Sequence, residues 1–515
     1  MINVIRKNLV LWLTILVLVI FFVMAARGMD TEDWVITLLR GLSVGAVTFL
    51  VASGFSLIFG LLDVLNLAHG TMFMIGAYVA WTVYVRPDTF VDLLAPGLLL
   101  VSGFMLSGLW DRLREGIRID GFLRKALPWM GLMLAAVIVV LVFRRFPITI
   151  WDVGNYAQSP VTYSFMADQG LLVLPEGEPF EEISPAVAAI GLMAGSLIAG
   201  FSLSLFKKST QANLKVGWRS YLGFFMVALV GLAALFLNDG LTAFLTGINS
   251  NWLFFLAVLS AVSFGILLGG VMESTLIRPL YVRPIYQLML TIGLSAIGIE
   301  VVRAIWGRPE FVMPKPAMFS GTGEGCPATT LADLVQYHCS TIELLDGRIR
   351  VYNEIFIPVV GLVVLITVWM LLQRSKLGMI IRAGVQDGEM VEALGINVRR
   401  VFTLVFALGV GLAALGGALA APSMGLSNVM GESLLLNALI ALAIGGLTSY
   451  PGAALGSILV GLLQQFIIKY GAIGIPIPFT EIIFKPTPPL VPASTVLLMV
   501  IILLLMPNGL LGRKE

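Results

Sequence analysis

Residues Leu9 to Ala26 read LVLWLTILVLVIFFVMAA, a run without a single charge. A helix of that length crosses the roughly 30 Å hydrocarbon core of a bilayer. Similar runs recur to the C-terminus. The chain has 515 residues, 58% hydrophobic and 12% charged, where soluble domains carry about 25% charged residues. Backbone polar groups in lipid must be satisfied within the spanning segment, so each run is expected to be helical. The expectation is an all-α, polytopic integral membrane protein with about 12–14 transmembrane helices.

Candidate crossings are 9–26, 35–60, 70–86, 92–110, 127–143, 186–206, 220–237, 252–270, 287–306, 355–373, 401–421, 434–447, 452–468 and 491–506. The pair 434–447 and 452–468 is short and Gly-rich, and a re-entrant hairpin fits it as well as two crossings. Leu9 to Ala26 follows Arg6 and Lys7 and ends in small residues, as a cleaved signal peptide also would. Its length and the spans that follow favour a retained helix.

Basic residues set the orientation. With the N-terminus inside, the inner segments hold Arg6 and Lys7, Arg112 to Lys125, Lys207 to Arg219, Arg278 and Arg283, Arg374 to Arg400, and Arg513 and Lys514. Acidic stretches such as PEGEPFEEISP then fall outside, and both termini are cytoplasmic. Cys326 and Cys339 share one outer loop, 307–354. An oxidising compartment would permit a disulfide there; two unpaired thiols are the other reading.

Several chemistries lack their residues. There is no G-x-x-x-x-G-K-[ST] to cradle a nucleotide, and two His and two Cys give no zinc or haem spacing. No metal, cofactor or nucleic-acid partner is expected. GLSVG, Gly41 to Gly45, matches G-x-S-x-G, but it opens an apolar helix where a nucleophile elbow needs a strand-to-helix turn. Small residues form files at every fourth position, Gly409, Ala413, Gly417 and Ala421, then Ala453, Ser457 and Gly461. Such files let helix backbones approach closely.

The inner loop 374–400, RSKLGMIIRAGVQDGEMVEALGINVRR, contains a short helix with readable ends. Asp387 is placed to cap its N-terminus and Gly395 to supply the left-handed stop. Met390, Val391 and Leu394 are expected on one face, with Glu389 and Glu392 pointing elsewhere. Two turns of helix are unstable alone in water, so the apolar face needs a dock. It can be this chain's own helix ends or a groove on a cytoplasmic partner.

GLLDVLNLAHGTMFMIGAY, Gly60 to Tyr78, interrupts two apolar runs with Asp63, Asn66 and His69, just before Gly70. Counting from Val35 at 1.5 Å per residue places the trio near the inner end of the crossing. One reading is a hairpin tip solvated by water and headgroups. The other is a helix break on a translocation path, with Asn66 and His69 bonding exposed backbone groups, since polar residues among Leu and Val usually face a cavity or a partner.

The stretches LNLAHGTMFMIGAYVA, MESTLIRPLYVRP, SKLGMIIRAGVQDGEMVEALGINVRRV, AIGGLTSYPGAALGSILVGL and MPNGLLGRKE occur in this order. Together they resemble the permease subunits of ABC importers for branched-chain amino acids and related amides, the H-type subunit more than the M-type. The resemblance covers about 35–86, 252–320 and 355–515. It implies an ABC-importer permease fold in the bacterial inner membrane, without enzymatic activity of its own. Implied partners are a second, M-type permease, two cytosolic ATPase subunits and a periplasmic substrate-binding protein, besides membrane lipid. Gln386, Asp387, Glu389, Met390, Val391, Leu394, Gly395 and Asn397 would then form the ATPase-coupling element.

Against that pattern stand an extra leading span, 1–34, and an inserted region, 87–250, with about four spans, dividing the permease core into 35–86 and 251–515. An even number of inserted spans preserves the polarity downstream. The solute stays open among branched-chain amino acids, other amino acids and urea-like amides. A stand-alone secondary transporter is the rival class; it would need membrane carboxylates, for which Glu273 and Glu300 are the candidates.

Overall fold

The computed structural model describes residues 28–116, 122–143, 145–146, 183–206, 218–281, 283–306, 310–345, 347–476 and 483–512, with Leu16, Ile20 and Val23 from the first apolar run. The remainder of crossing 9–26, the basic stretch 207–217 and the terminal Arg513 and Lys514 lie outside them. The chain forms two compact units, one built from residues before Val85 and from Asn249 onward, the other from residues between Val85 and Ile248.

The first unit opens with α1 (Thr31–Leu62) and α2 (His69–Val85). The second unit holds α3 (Pro87–Ser102), α4 (Ser107–Gly116), α5 (Phe122–Phe143), α6 (Pro185–Leu205), α7 (Trp218–Phe236) and α8 (Asn238–Gly247). The first unit resumes with α9 (Ser250–Met272) and α10 (Pro284–Trp306). A loop follows that carries α11 (Leu331–Tyr337) and the antiparallel hairpin β1 (Thr341–Leu344) and β2 (Gly347–Arg350), paired Thr341 with Arg350. Then come α12 (Ile357–Arg374), α13 (Lys376–Gln386), α14 (Gly388–Ala393) and α15 (Val398–Met424). The chain closes with α16 (Met430–Gly445), α17 (Tyr450–Ile473), a short pairing of β3 (Ile475–Pro476) with β4 (Ile483–Phe484), and α18 (Leu490–Leu505).

This is an all-α, multi-pass membrane architecture. Among the described residues nine helical stretches are long and apolar enough to cross a bilayer. A tenth arises if α7 and α8, bent by 81°, count as one. The first expected crossing, 9–26, is outside this count because most of it lies beyond the described residues. The candidate crossings from 35–60 onward all fall on helices, but α2, α16 and α18 have only 17, 16 and 16 residues. At 1.5 Å per residue α16 measures about 24 Å, short of a full hydrocarbon core.

Small residues decide how the first unit packs. The centres of α1 and α15 are 78% buried, more than any other span. On α15 the file Gly409, Ala413, Gly417 and Ala421 faces α1 and α2: Gly409 meets Gly54 and Ile58, and Gly417 lies against the Phe73 carbonyl. The opposite side takes α9, with Gly265 on Ala414 and Gly269 on Val410. On α17 the second file meets α1, where Gly461 abuts Gly41 and Gly45. Backbones at this separation gain dispersion energy that larger side chains would forbid.

Two hydrogen bonds hold α2 and α10 parallel and in register. Thr71 Oγ1 and Ser295 Oγ lie 2.6 Å apart, and eleven residues further along each helix Trp306 Nε1 donates to Thr82 Oγ1 at 3.0 Å. The loop before α12 has its own small core of Ala328, Cys339, Ile342, Ile349 and Val351. The sulfurs of Cys326 and Cys339 are bonded within it. Thr330 caps α11 reciprocally with Asp333. Reciprocal hydrogen bonds between Phe311 and Leu426 tie the start of this loop to the α15–α16 connection.

The second unit packs α3 against α6 and α7 around Ala95, Leu99, Ala188, Leu192 and Ala234. Arg86 and Asp88 form a buried two-pronged ion pair at 3.1 and 2.8 Å where α3 begins.

Candidate functional site

α1 ends at Leu62 because Asp63 turns left-handed, φ 53°, with its N–H on the Phe59 carbonyl at 2.9 Å. Asp is among the few residues that accept this conformation. The next five residues double back along α1. The His69 N–H then donates to the Asn66 carbonyl at 3.1 Å and α2 starts. The polar trio therefore does not share one level. Asp63 is exposed at the end of α1, whereas Asn66 and His69 are fully buried.

His69 lies beside Val51, whose carbonyl oxygen is 3.1 Å from Nε2. It stands edge-on to Phe55 at 5.9 Å. Val51 is about 16 Å back along α1 from Leu62, so the break reaches into the helical bundle. The expectation that both polar side chains bond backbone groups describes His69 but not Asn66. The Asn66 amide oxygen and nitrogen, and His69 Nδ1, are buried without a hydrogen-bond partner. Leaving such a group unsatisfied costs about 1–3 kcal/mol, and each instance calls for a reason beyond packing. Gly70 is pressed against the backbone of Gly431, so the first turns of α2 and α16 meet.

Hydroxyls from α10 complete the break. Thr291 Oγ1 donates to the Leu65 carbonyl at 3.3 Å, one turn before the Thr71–Ser295 contact. A groove of about 380 Å³ opens beside it, lined by Leu67, Ile292, Ser295, Ala296, Ile299, Glu300, Arg303 and Glu432. Sequence reading missed Ser295, Arg303 and Glu432. The signal for the α10 residues was present: Arg303 stands three residues after Glu300 and eight after Ser295, both helical intervals, in a mostly apolar run.

Both carboxylates considered for ion coupling are engaged. Glu273, fully buried at the end of α9, accepts from Arg278 at 3.1 and 2.7 Å and from the Tyr281 hydroxyl at 2.8 Å. Arg278 also donates to Thr403 Oγ1 of α15 at 2.5 Å. Glu300 accepts from Arg303 at 2.6 Å.

In the 374–400 segment, Ser375 caps α13 through the Gly378 N–H at 2.9 Å, and Gln386 is its exposed last residue. Asp387 caps α14, accepting from the Met390 N–H at 2.9 Å. Gly395 follows with φ 84°, and Asn397 caps α15 by accepting from the Arg400 N–H at 3.1 Å. Glu389 and Glu392 are exposed. The three apolar residues divide: Val391 is buried against its own chain, while Met390 and Leu394 remain 64% and 73% exposed. Val391 sits one residue off the i, i+4 line that Met390 and Leu394 share, which turns it toward the protein.

Comparison with known proteins places these features in context. The family described as "Branched-chain amino acid transport system / permease component" matches residues 37–176 and 197–507. BraD of Pseudomonas aeruginosa, a high-affinity branched-chain amino acid transport system permease protein, is 31% identical over 172 residues, 33% of this chain and 51% of BraD. LivH of Salmonella typhimurium, described in the same terms, is 25% identical over 272 residues, 52% of this chain and 78% of LivH. The fructose import permease protein FruF of Bifidobacterium longum is 29% identical over 121 residues, 22% of this chain and 34% of FruF. The chain thus spans about half the length of BraD. No solved structure matches it.

Proposed function

The chain belongs to the branched-chain amino acid transport permease family, and from that premise we propose that it is one membrane subunit of an ATP-driven importer for branched-chain or related small amino acids. It is a permease component and not itself a catalyst. It works with a second permease of the M-type, two cytosolic ATPase subunits and a periplasmic binding protein, in the inner membrane of a bacterium with both termini cytoplasmic. Residues 35–86 and 251–515 form the permease core, and 1–34 and 87–250 are additions to it.

One observation carries the coupling: α14 is capped at both ends yet leaves Met390 and Leu394 open. A short helix with an unfilled apolar pair fits the helix-in-groove mode of docking. Nucleotide hydrolysis on the subunit that holds it would move Gln386 to Asn397. A ligand can shift a conformational equilibrium only by binding its states unequally, so that grip must differ between nucleotide states.

The broken helix supports the gate. Asn66 and His69 hold unpartnered donors and acceptors beside the Gly70–Gly431 contact. Solute choice follows the BraD and LivH names; FruF, named for fructose, shows that solutes differ among the proteins this chain resembles.

The test is uptake of radiolabelled leucine, isoleucine and valine by cells with and without this gene. Uptake should vanish with the gene, require ATP and survive collapse of the proton gradient. Uptake abolished by collapsing that gradient at constant ATP would instead indicate a secondary transporter.

A further inference from the structure

α9 and α10 are joined by ESTLIRPLYVR, Glu273 to Arg283, a stretch involved neither in the docking of α14 nor in the helix break. Its first five residues form a single π turn, Glu273–Ile277, closed by the Arg278 N–H on the Glu273 carbonyl. In an α-helix, residues five apart point about 140° away from each other. The wider π turn brings them to one side. Glu273 therefore takes both prongs of the Arg278 guanidinium, with the Tyr281 hydroxyl as a third donor.

The same guanidinium reaches α15, where its Nη2 donates to Thr403 Oγ1 at 2.5 Å. Beside it the Tyr281 ring stands edge-on to Phe402, the centroids 6.4 Å apart. Two consecutive residues of α15 are thus held by the α9–α10 turn. They lie at the end of α15 that follows α14. Gly384 of α13 rests against Val398 and Phe402, so α13, the first turns of α15 and the α9–α10 turn are in continuous contact. About 9 Å along α15 from Thr403, Gly409 abuts Gly54, and Gly54 adjoins His69.

Further along, α9 and α15 meet through small residues, Gly269 on Val410 and Ala407 and Gly265 on Ala414. Such close contacts gain dispersion energy but contain no directional bond to oppose sliding of one helix on the other. The clasp of Glu273, Arg278 and Thr403 supplies one. Packing alone does not call for its charges, since a buried ion pair is often no more stabilising than apolar residues of similar volume.

We propose that Arg278 is a positioning residue for transport. Through Thr403 it fixes α15 to the α9–α10 turn, so that a displacement of α14 moves α9 and α15 as one body and reaches the break at Gly54 and His69. Without that bond α15 slides on α9, and the displacement dissipates before the break.

The proposal rests on the ATP-driven reading above, and the experiment separates the two. T403V cuts the bond to α15 while leaving Glu273, Arg278 and Tyr281 in place. In proteoliposomes holding the full complex, T403V should lower the leucine imported per ATP hydrolysed about fivefold, the low end of coupling between sites, while hydrolysis continues. T403S keeps the hydroxyl and should restore the ratio. E273Q/R278M, which lacks the guanidinium, should share the low ratio of T403V. A photo-activatable cross-linker at Leu394 should give the same nucleotide-dependent adduct in T403V as in the native chain, because the grip on α14 precedes the clasp.

An unchanged ratio in T403V would overturn the proposal. So would import and hydrolysis falling together, which a merely structural clasp would produce. A complex with native residues that imports none of leucine, isoleucine and valine would overturn the transport reading itself.

Discussion

His69 is held by one hydrogen bond and a set of close neighbours. Its imidazole meets the Val51 carbonyl, and Gly54 leaves room both for it and for α15: a Cβ there would run first into the Gly409 carbonyl and then stand 2.9 Å from Nε2 and Cε1 of His69. G54A should therefore act as an overpacking change of about 1–3 kcal/mol, read as a lower unfolding temperature in detergent. H69A and N66A should lower uptake about tenfold, equivalent to about 1.4 kcal/mol, with membrane insertion intact; unchanged uptake would remove both residues from the pathway. Glu273 is of another kind. E273Q breaks a buried pair, which costs about 3–5 kcal/mol when both charges are buried. Arg278 is 32% exposed, so about 2 kcal/mol is expected here. The double variant E273Q/R278M should recover part of that in a chemical unfolding series.

At the scale of elements, α14 and α11 test the capping argument. D387A removes the Asp387–Met390 hydrogen bond and should cost about 1 kcal/mol locally, seen as faster amide exchange over 388–393 with uptake reduced. In α11, hydrogen bonds from Thr330 first and then Thr329 hold the Asp333 carboxyl below its usual range. The folded loop favours the ionised form. That contribution is complete above the ordinary Asp value of about 3.9 and is lost as pH falls through the lower folded value. Amide exchange across 331–337 should accelerate in that acid window, and T330A should flatten the response. The caps of α14 were legible because capping is local chemistry, a few residues of Asp, Asn and Gly. The division of its apolar face was not, since whether Val391 or Met390 turns inward depends on what α13 and α15 present. The depth of His69 escaped for a related reason: counting residues gives the length of α1 but not the direction of the chain after Asp63.

For the whole molecule, class comes from composition and spacing, and the described helices lie where apolar runs predict them. Among the described residues α2, α16 and α18 are shorter than a full crossing. The groove could not be read in advance. Leu67, Arg303 and Glu432 are far apart in sequence; Thr71–Ser295 and Thr82–Trp306 set α2 beside α10, and the Gly70–Gly431 contact sets α16 beside α2. A driven permease of this kind needs α14 to be held by a subunit that hydrolyses ATP. A photo-activatable cross-linker at Leu394 in the assembled complex tests this directly. The prediction is an adduct with the ATP-hydrolysing subunit whose yield changes between nucleotide-bound and nucleotide-free states. Adducts confined to this polypeptide, in both states, would contradict it.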